Sequence, residues 1–92
     1  MSSGHGAAKL YIYPEKTSDG SYHMWVLRVE TDGLVQRAIG FSTKYTSMGS
    51  CVRAMKNKQD QGGIHYDVPY EVVFNPKKHE ELMVLILRMK CQ

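Results

Sequence analysis

The chain has 92 residues, of which 42% are hydrophobic and 23% are charged. This length suits one domain, and the composition excludes a multidomain enzyme, a disordered chain, and a collagen-like or coiled-coil protein. Twelve Lys and Arg residues against nine Asp and Glu residues give a net charge of +3, which is too small to indicate nucleic-acid binding by itself.

We expect residues 1–8, which are rich in Gly, Ser and Ala, to form a flexible N-terminal tail, and residues 9–92 to form a single α+β domain. No run of the chain approaches the roughly 18 apolar residues that a membrane-spanning helix needs. The N-terminal residues also lack the charged and apolar regions of a secretory signal. We therefore expect a cytoplasmic protein with no membrane partner.

The first half of the chain alternates between apolar and polar residues in the way of β-strands. Strands are predicted at residues 9–13, 22–30 and 34–41, separated by polar turns. The Asp-Gly pair at residues 32–33 predicts a type I′ hairpin turn, because glycine accepts the positive φ that this turn needs. The three strands therefore form an antiparallel meander.

An amphipathic helix is predicted at residues 48–59. Its apolar stripe has the spacing i, i+3, i+4 and i+7 and consists of Met48, Cys51, Val52 and Met55. Thr46 or Ser47 can cap the first turn by accepting a hydrogen bond from a free backbone N–H. We expect this helix to cover one face of the meander, since neither element can bury its apolar face alone.

The last third of the chain leaves two alternatives open. A short strand is predicted at residues 70–74, and the following segment holds six consecutive apolar residues at 82–87. Asn75-Pro76 suits the start of a helix, whereas the β-branched residues and two early lysines of this segment favour a strand. The predicted fold class is α+β: an antiparallel meander of three to five strands packed by one or two helices, in the order β-β-β-α-β followed by a helix or a strand.

Motifs for catalysis and metal binding are missing from the sequence. It has no Gly-rich phosphate loop, no GxSxG motif, and no histidine or cysteine at zinc-binding spacing. Cys51 could pair with a histidine as a nucleophile, but its place on the apolar stripe favours a role in the core. We therefore expect no catalytic residues, no metal site and no cofactor.

A sheet face rich in tyrosine is the predicted contact surface, while Trp25 is expected in the core. The residues placed on this face are Tyr11, Tyr13, Tyr22, Met24 and Arg28. Arg53 and Lys56 on the helix add polar contacts. We expect this surface to bind a protein partner, because a meander covered by one helix leaves its second face open. The alternative is binding of single-stranded nucleic acid through base stacking and phosphate contacts.

The apolar C-terminal segment predicts a homodimer. It must be covered by the core, by a partner subunit or by both. The residues predicted at the dimer interface are Met83, Leu85, Leu87 and Met89. Extra burial would stabilise a core of this small size. The predicted function is a small, non-catalytic protein-binding domain that is homodimeric and regulatory or inhibitory in role.

The segment YHMWVLRVETDG, a third strand and the segment YTSMGSCVRAMKNK resemble the small YegP-like bacterial domains. The matching positions are Trp25, Leu27, Arg28, Gly33, Tyr45 and Ser47, followed by the helix. The resemblance covers roughly residues 9–59 and implies a β-β-β-α unit that is often used in pairs or as a dimer. It carries over no catalytic residue, and residues 60–92 have no counterpart in it.

Overall fold

The computed structural model describes residues 8–91, without the side chains of residues 76 and 89–91. The elements in chain order are β1 (Lys9–Lys16), β2 (Tyr22–Val29), β3 (Val35–Tyr45), α1 (Met48–Asp60), β4 (Tyr70–Val72) and α2 (Pro76–Cys91). The predicted α+β class and element order are confirmed, and the C-terminal segment is a helix. Neither of the two helices described is long and apolar enough to cross a membrane.

The strands form one four-stranded sheet in the order β3-β2-β1-β4. β2 pairs antiparallel with both β1 and β3, as the predicted meander requires, and β4 pairs parallel with β1. Residues 1–7 of the predicted tail lie outside the described residues, whereas Ala8 is buried. The part of the chain that the structure describes therefore begins one residue before β1.

Two hairpin loops of the same kind join β1 to β2 and β2 to β3. In the second, Glu30 N–H donates to Leu34 C=O at 2.9 Å, and Gly33 N–H donates to Glu30 C=O at 3.1 Å. Three residues remain in the loop, and Gly33 has a φ of +92°. The predicted type I′ turn is therefore wrong. This is the common three-residue hairpin loop, in which a glycine with left-handed backbone angles comes just before the second strand. Gly20, with a φ of +88°, has the same position in the first loop.

The first strand is predicted to end at residue 13, but β1 continues through Pro14 to Lys16. Leu10 N–H donates to Pro69 C=O at 2.9 Å, and Ile12 C=O accepts from Val73 N–H at 2.8 Å. Even-numbered residues of β1 thus direct their backbone groups toward β4. The nitrogen of Pro14 falls beyond the end of β4, so its missing N–H removes no hydrogen bond from the sheet.

Both helices begin at a side-chain cap. The Ser47 hydroxyl accepts from Ser50 N–H at 3.2 Å at the start of α1, which confirms the predicted cap. Asn75 Oδ1 accepts from Lys77 N–H at 2.8 Å at the start of α2. The residue between them is a proline, which needs no hydrogen-bond acceptor in the first turn. The C-terminal segment therefore forms the helix that Asn75-Pro76 indicates, and not a strand.

The two helices cover opposite faces of the sheet. The buried residues on the α1 side are Ile12, Met24, Cys51, Met55 and Ile64. The buried residues on the α2 side are Tyr13, Leu27, Val73, Leu82 and Ile86. The molecule therefore has three layers, and the second face of the meander, which the sequence left open, is covered by α2 of the same chain.

Candidate functional site

The predicted tyrosine face is split between the two sides of the sheet. β1 and β2 pair so that Tyr13 lies opposite Trp25. Odd-numbered residues of both strands therefore lie on the α2 side, and even-numbered residues lie on the α1 side. Tyr11 and Tyr13 are separated by the sheet from Tyr22 and Met24, so the prediction of one shared face is wrong. Side chains alternate between the two faces within each strand, as predicted. The register between the strands, however, decides which side chains of neighbouring strands share a face.

Burial divides the predicted contact residues further. Tyr13 and Met24 are fully buried and offer no contact surface, because each belongs to the core of its own layer. Trp25, expected in the core, is partly buried against the α2 layer. The remaining predicted contact residues are at least partly exposed, namely Tyr11, Tyr22, Arg28, Arg53 and Lys56. Their contact with a partner stays a prediction.

A cluster of polar side chains that sequence reasoning missed lies on the α2 side of the sheet. We call it the α2-side polar cluster, and it consists of Tyr13, Glu15, Trp25, Arg37 and His79. Within residues 8–75 and 77–88, every buried side-chain nitrogen or oxygen without a hydrogen-bond partner belongs to it. These atoms are Tyr13 Oη, Glu15 Oε1, Trp25 Nε1 and His79 Nε2. Such atoms are rare in folded proteins and each destabilises the fold.

Arg37 contacts two other members of this cluster, Glu15 and Trp25. Its Nη1 donates to Glu15 Oε2 at 2.6 Å, and its guanidinium carbon lies 4.6 Å from the centre of the Trp25 ring. The Tyr13 and His79 rings lie 5.7 Å apart. Burial raises the pKa of the Tyr13 hydroxyl, and the nearby Arg37 guanidinium offsets only part of that rise. Finding this cluster required the strand register, because its members come from three strands and a helix.

A cavity of about 200 Å³ lies between the starts of α1 and α2. It is lined by Pro14, Met48, Val52, Val73, Phe74 and His79. Most of its wall is apolar, and His79 is the one ionisable group among the lining residues that the structure describes. No group of three or more His, Cys, Asp or Glu side chains that could hold a metal ion occurs among the residues described.

The thiol of Cys51 is closed off from solvent. Its side chain is fully buried in the α1 layer. Burial raises the pKa of this thiol to about 11, so it is protonated at neutral pH. A protonated, enclosed thiol is a poor nucleophile, and the predicted core role of Cys51 is therefore the one that its environment supports.

The four predicted dimer residues do not share one face of α2. Met83 and Leu85 are partly buried against the α2-side core, whereas Leu87 is 60% exposed. The side chain of Met89 lies outside the described residues. Val84, which was not predicted, is 51% exposed. The difference arises because a helix turns its residues by about 100° each, so that alternate residues do not face the same way.

The exposed side of α2 combines apolar and charged residues. We call it the α2 outer face, and it consists of Glu80, Glu81, Val84, Leu87 and Arg88, all of which are exposed. Val84 is four residues from Glu80 and from Arg88, and three residues from Glu81 and from Leu87, so all five lie along one stripe of the helix. The buried Leu82 and Ile86 hold the opposite stripe against the sheet.

Comparison with protein-family models, with curated proteins and with solved structures finds no match to this chain. The resemblance of residues 9–59 to the YegP-like domains stays a prediction.

Proposed function

We propose that this chain is a small, non-catalytic protein-binding domain that forms a homodimer through the α2 outer face. The observation that carries this proposal is the exposure of Val84 and Leu87. Among the large apolar side chains described, these two are the most exposed, and they lie one turn apart on the same helix. Apolar side chains grouped at a surface and rimmed by charges are typical of protein interfaces.

The proposal includes a cytoplasmic location and a regulatory or inhibitory role, in which the dimer binds a further protein. The partly exposed Tyr11, Tyr22 and Arg28, with Arg53 and Lys56 on α1, are the residues available for that second contact. Tyrosine and arginine are enriched in protein interfaces. The alternative of single-stranded nucleic-acid binding depended on a tyrosine-rich sheet face, and the tyrosines lie on both sides of the sheet.

The decisive experiment is the solution mass of the wild-type chain and of two matched variants. Leu87→Glu introduces a charge on the α2 outer face. Met48→Glu makes the same change at the start of α1, where the side chain is 41% exposed. We expect light scattering to show a dimer for the wild type and for Met48→Glu. The dimer affinity of Leu87→Glu should be at least tenfold lower, a loss of about 1.4 kcal/mol.

Far-UV circular dichroism should show the same helix content in all three proteins. A wild-type chain that stays monomeric up to about 1 mM, the weak end of protein association, would refute self-association. Equal loss of the dimer in both variants would refute the α2 outer face as its site. Titration of the wild-type chain with single-stranded RNA and DNA at two salt concentrations tests the alternative, because binding to phosphates weakens as salt rises.

A further inference from the structure

Charges are arranged symmetrically about one apolar residue on the α2 outer face. Glu80, Val84 and Arg88 follow at i, i+4 and i+8. Because a helix rises 1.5 Å per residue, the acidic and basic positions lie about 6 Å on either side of Val84. Glu81 adds a second carboxylate at the acidic end, and Leu87 adds a second apolar side chain beside Val84.

The two outer charges, Glu80 and Arg88, form no ion pair with any other residue whose side chain the structure describes. Glu81, by contrast, lies 3.6 Å from Lys78. All of the α2 outer face is exposed. A surface with an acidic end, an apolar centre and a basic end is complementary to itself when one copy is turned end over end.

We infer that a second copy of this chain packs its α2 antiparallel across Val84, with Arg88 of each copy facing Glu80 and Glu81 of the other. This inference rests on the self-association proposed above and names its geometry. A two-fold axis repeats every contact twice, so one pair of opposite charges becomes two. The two copies of Val84 meet at the centre of the contact, as apolar side chains do between packed helices. Leu87 of each copy lies about 4.5 Å from Val84 along the helix axis, on the side of Arg88.

The opposite orientation is disfavoured by the same residues. In a parallel pair, Glu80 would face Glu80 and Arg88 would face Arg88, and like charges at an interface oppose association. The helix dipoles would also lie side by side in the same direction, with like ends together. The antiparallel pair places each acidic end beside a basic end and each helix start beside a helix end.

A charge-exchange experiment tests this orientation. One variant carries Arg88→Glu, which makes the α2 outer face acidic. A second carries Glu80→Arg and Glu81→Arg, which makes it basic. We expect each variant alone to dimerise at least about tenfold more weakly than the wild type, because like charges then meet in both halves of the interface. An equimolar mixture should form a heterodimer at least as tight as the wild-type dimer.

The matched control is Lys16→Glu, which makes the same charge change at the exposed end of β1, on the α1 side of the sheet. It should leave the dimer dissociation constant unchanged. Arg88→Gln, which removes the charge without reversing it, should weaken the dimer less than Arg88→Glu. Circular dichroism of each variant checks that α2 remains helical, and sedimentation equilibrium supplies the dissociation constants.

The outcomes separate this inference from the proposed function. If Leu87→Glu dissociates the dimer while Arg88→Glu leaves it intact or strengthens it, the antiparallel orientation is wrong and self-association stands. If the mixture of the acidic and basic variants does not associate, the charge contacts are wrong. If the wild type is monomeric, both proposals are wrong.

Discussion

The two sides of the sheet differ in chemistry although the same strands form both. On the α1 side, the buried residues are aliphatic or sulfur-containing, with Met24, Cys51 and Met55 at the centre. On the α2 side, the buried Leu82 and Ile86 share the interface with the α2-side polar cluster. A single alternating strand therefore supplies an apolar layer to one helix and a partly polar layer to the other.

This difference predicts unequal stability. Each buried polar atom without a partner costs about 1–3 kcal/mol, and those described lie on the α2 side. The backbone of α1 also approaches β1, β2 and β3, whereas that of α2 approaches chiefly β3. We therefore expect the α1 layer to hold the larger share of the folding free energy, and the α2 layer to open more readily.

The largest expected effect comes from Met55→Ala, compared with Leu82→Ala. Both side chains are fully buried, one in each layer. Met55→Ala should lower the free energy of unfolding by about 3 kcal/mol, and Leu82→Ala by about 2 kcal/mol, because α2 can move to fill part of the cavity that the smaller residue leaves. Urea unfolding measures both. A larger loss for Leu82→Ala would reverse the comparison between the layers.

Arg37→Met should have the next largest effect. It leaves the Glu15 carboxylate without its cation, and the two side chains are only 18% and 22% exposed. We expect a loss of about 2 kcal/mol, less than for a fully buried pair. Adding Glu15→Gln should recover part of it, because the unpaired charge is then removed.

The control for this change is Arg28→Met, which breaks the more exposed ion pair with Glu30. Surface pairs contribute about 0–1 kcal/mol, so this variant should cost less than Arg37→Met. Equal losses in urea unfolding would show that the α2-side polar cluster contributes no more than a surface ion pair does.

Tyr13→Phe should stabilise the protein by about 1 kcal/mol at pH 7, because it removes a buried hydroxyl that has no hydrogen-bond partner. The same change should also alter how the free energy of unfolding depends on pH in the alkaline range. Burial raises the pKa of Tyr13 above its usual value of 10.0. The unfolded chain therefore ionises first, and the stability present below pH 10 is lost as the pH rises through the folded-state pKa.

Urea unfolding at pH 7 and at a pH just above 10 measures both effects. Tyr13→Phe should lose less stability than the wild type over this interval. Tyr22→Phe is the control, since Tyr22 is only partly buried and lies on the α1 side. A destabilised Tyr13→Phe variant would mean that the hydroxyl is satisfied in solution.

The smallest effect is kinetic and concerns the closed α1 side. In a Cys91→Ser background, Cys51 should react with a thiol reagent only on unfolding, because its pKa is raised from 9.0 to about 11 and its side chain is fully buried. Absorbance of the released chromophore measures the rate with and without urea. Rapid reaction of the folded protein would show that the α1 layer opens without global unfolding.

Local signals in the sequence were sufficient for the elements of the first half. The position of the second hairpin follows from the Asp-Gly pair at residues 32–33, and α1 follows from its apolar stripe and the Ser47 cap, because each signal acts over a few neighbouring residues. The exact loop type did not follow, since it depends on where the ladder closes between Glu30 and Leu34.

The candidate site was predicted less well for a physical reason. Leu87 is exposed on α2, but Met83 and Leu85 face the core, and Val84 was overlooked. In a helix, these neighbouring residues face different sides. The sequence did not decide between a helix and a strand for this segment. The tyrosine face was wrong because face sharing depends on the register between strands, which a one-residue shift reverses.

Length, composition and local periodicity determined that this chain is a small α+β domain with three consecutive strands, a capped helix and an apolar C-terminal segment. The tertiary structure decided that the segment is a helix, that it covers the second face of the sheet, and that polar groups from three strands meet beneath it. The reason is that strand and helix preferences act along the chain, while register, burial and exposure arise between residues distant in sequence.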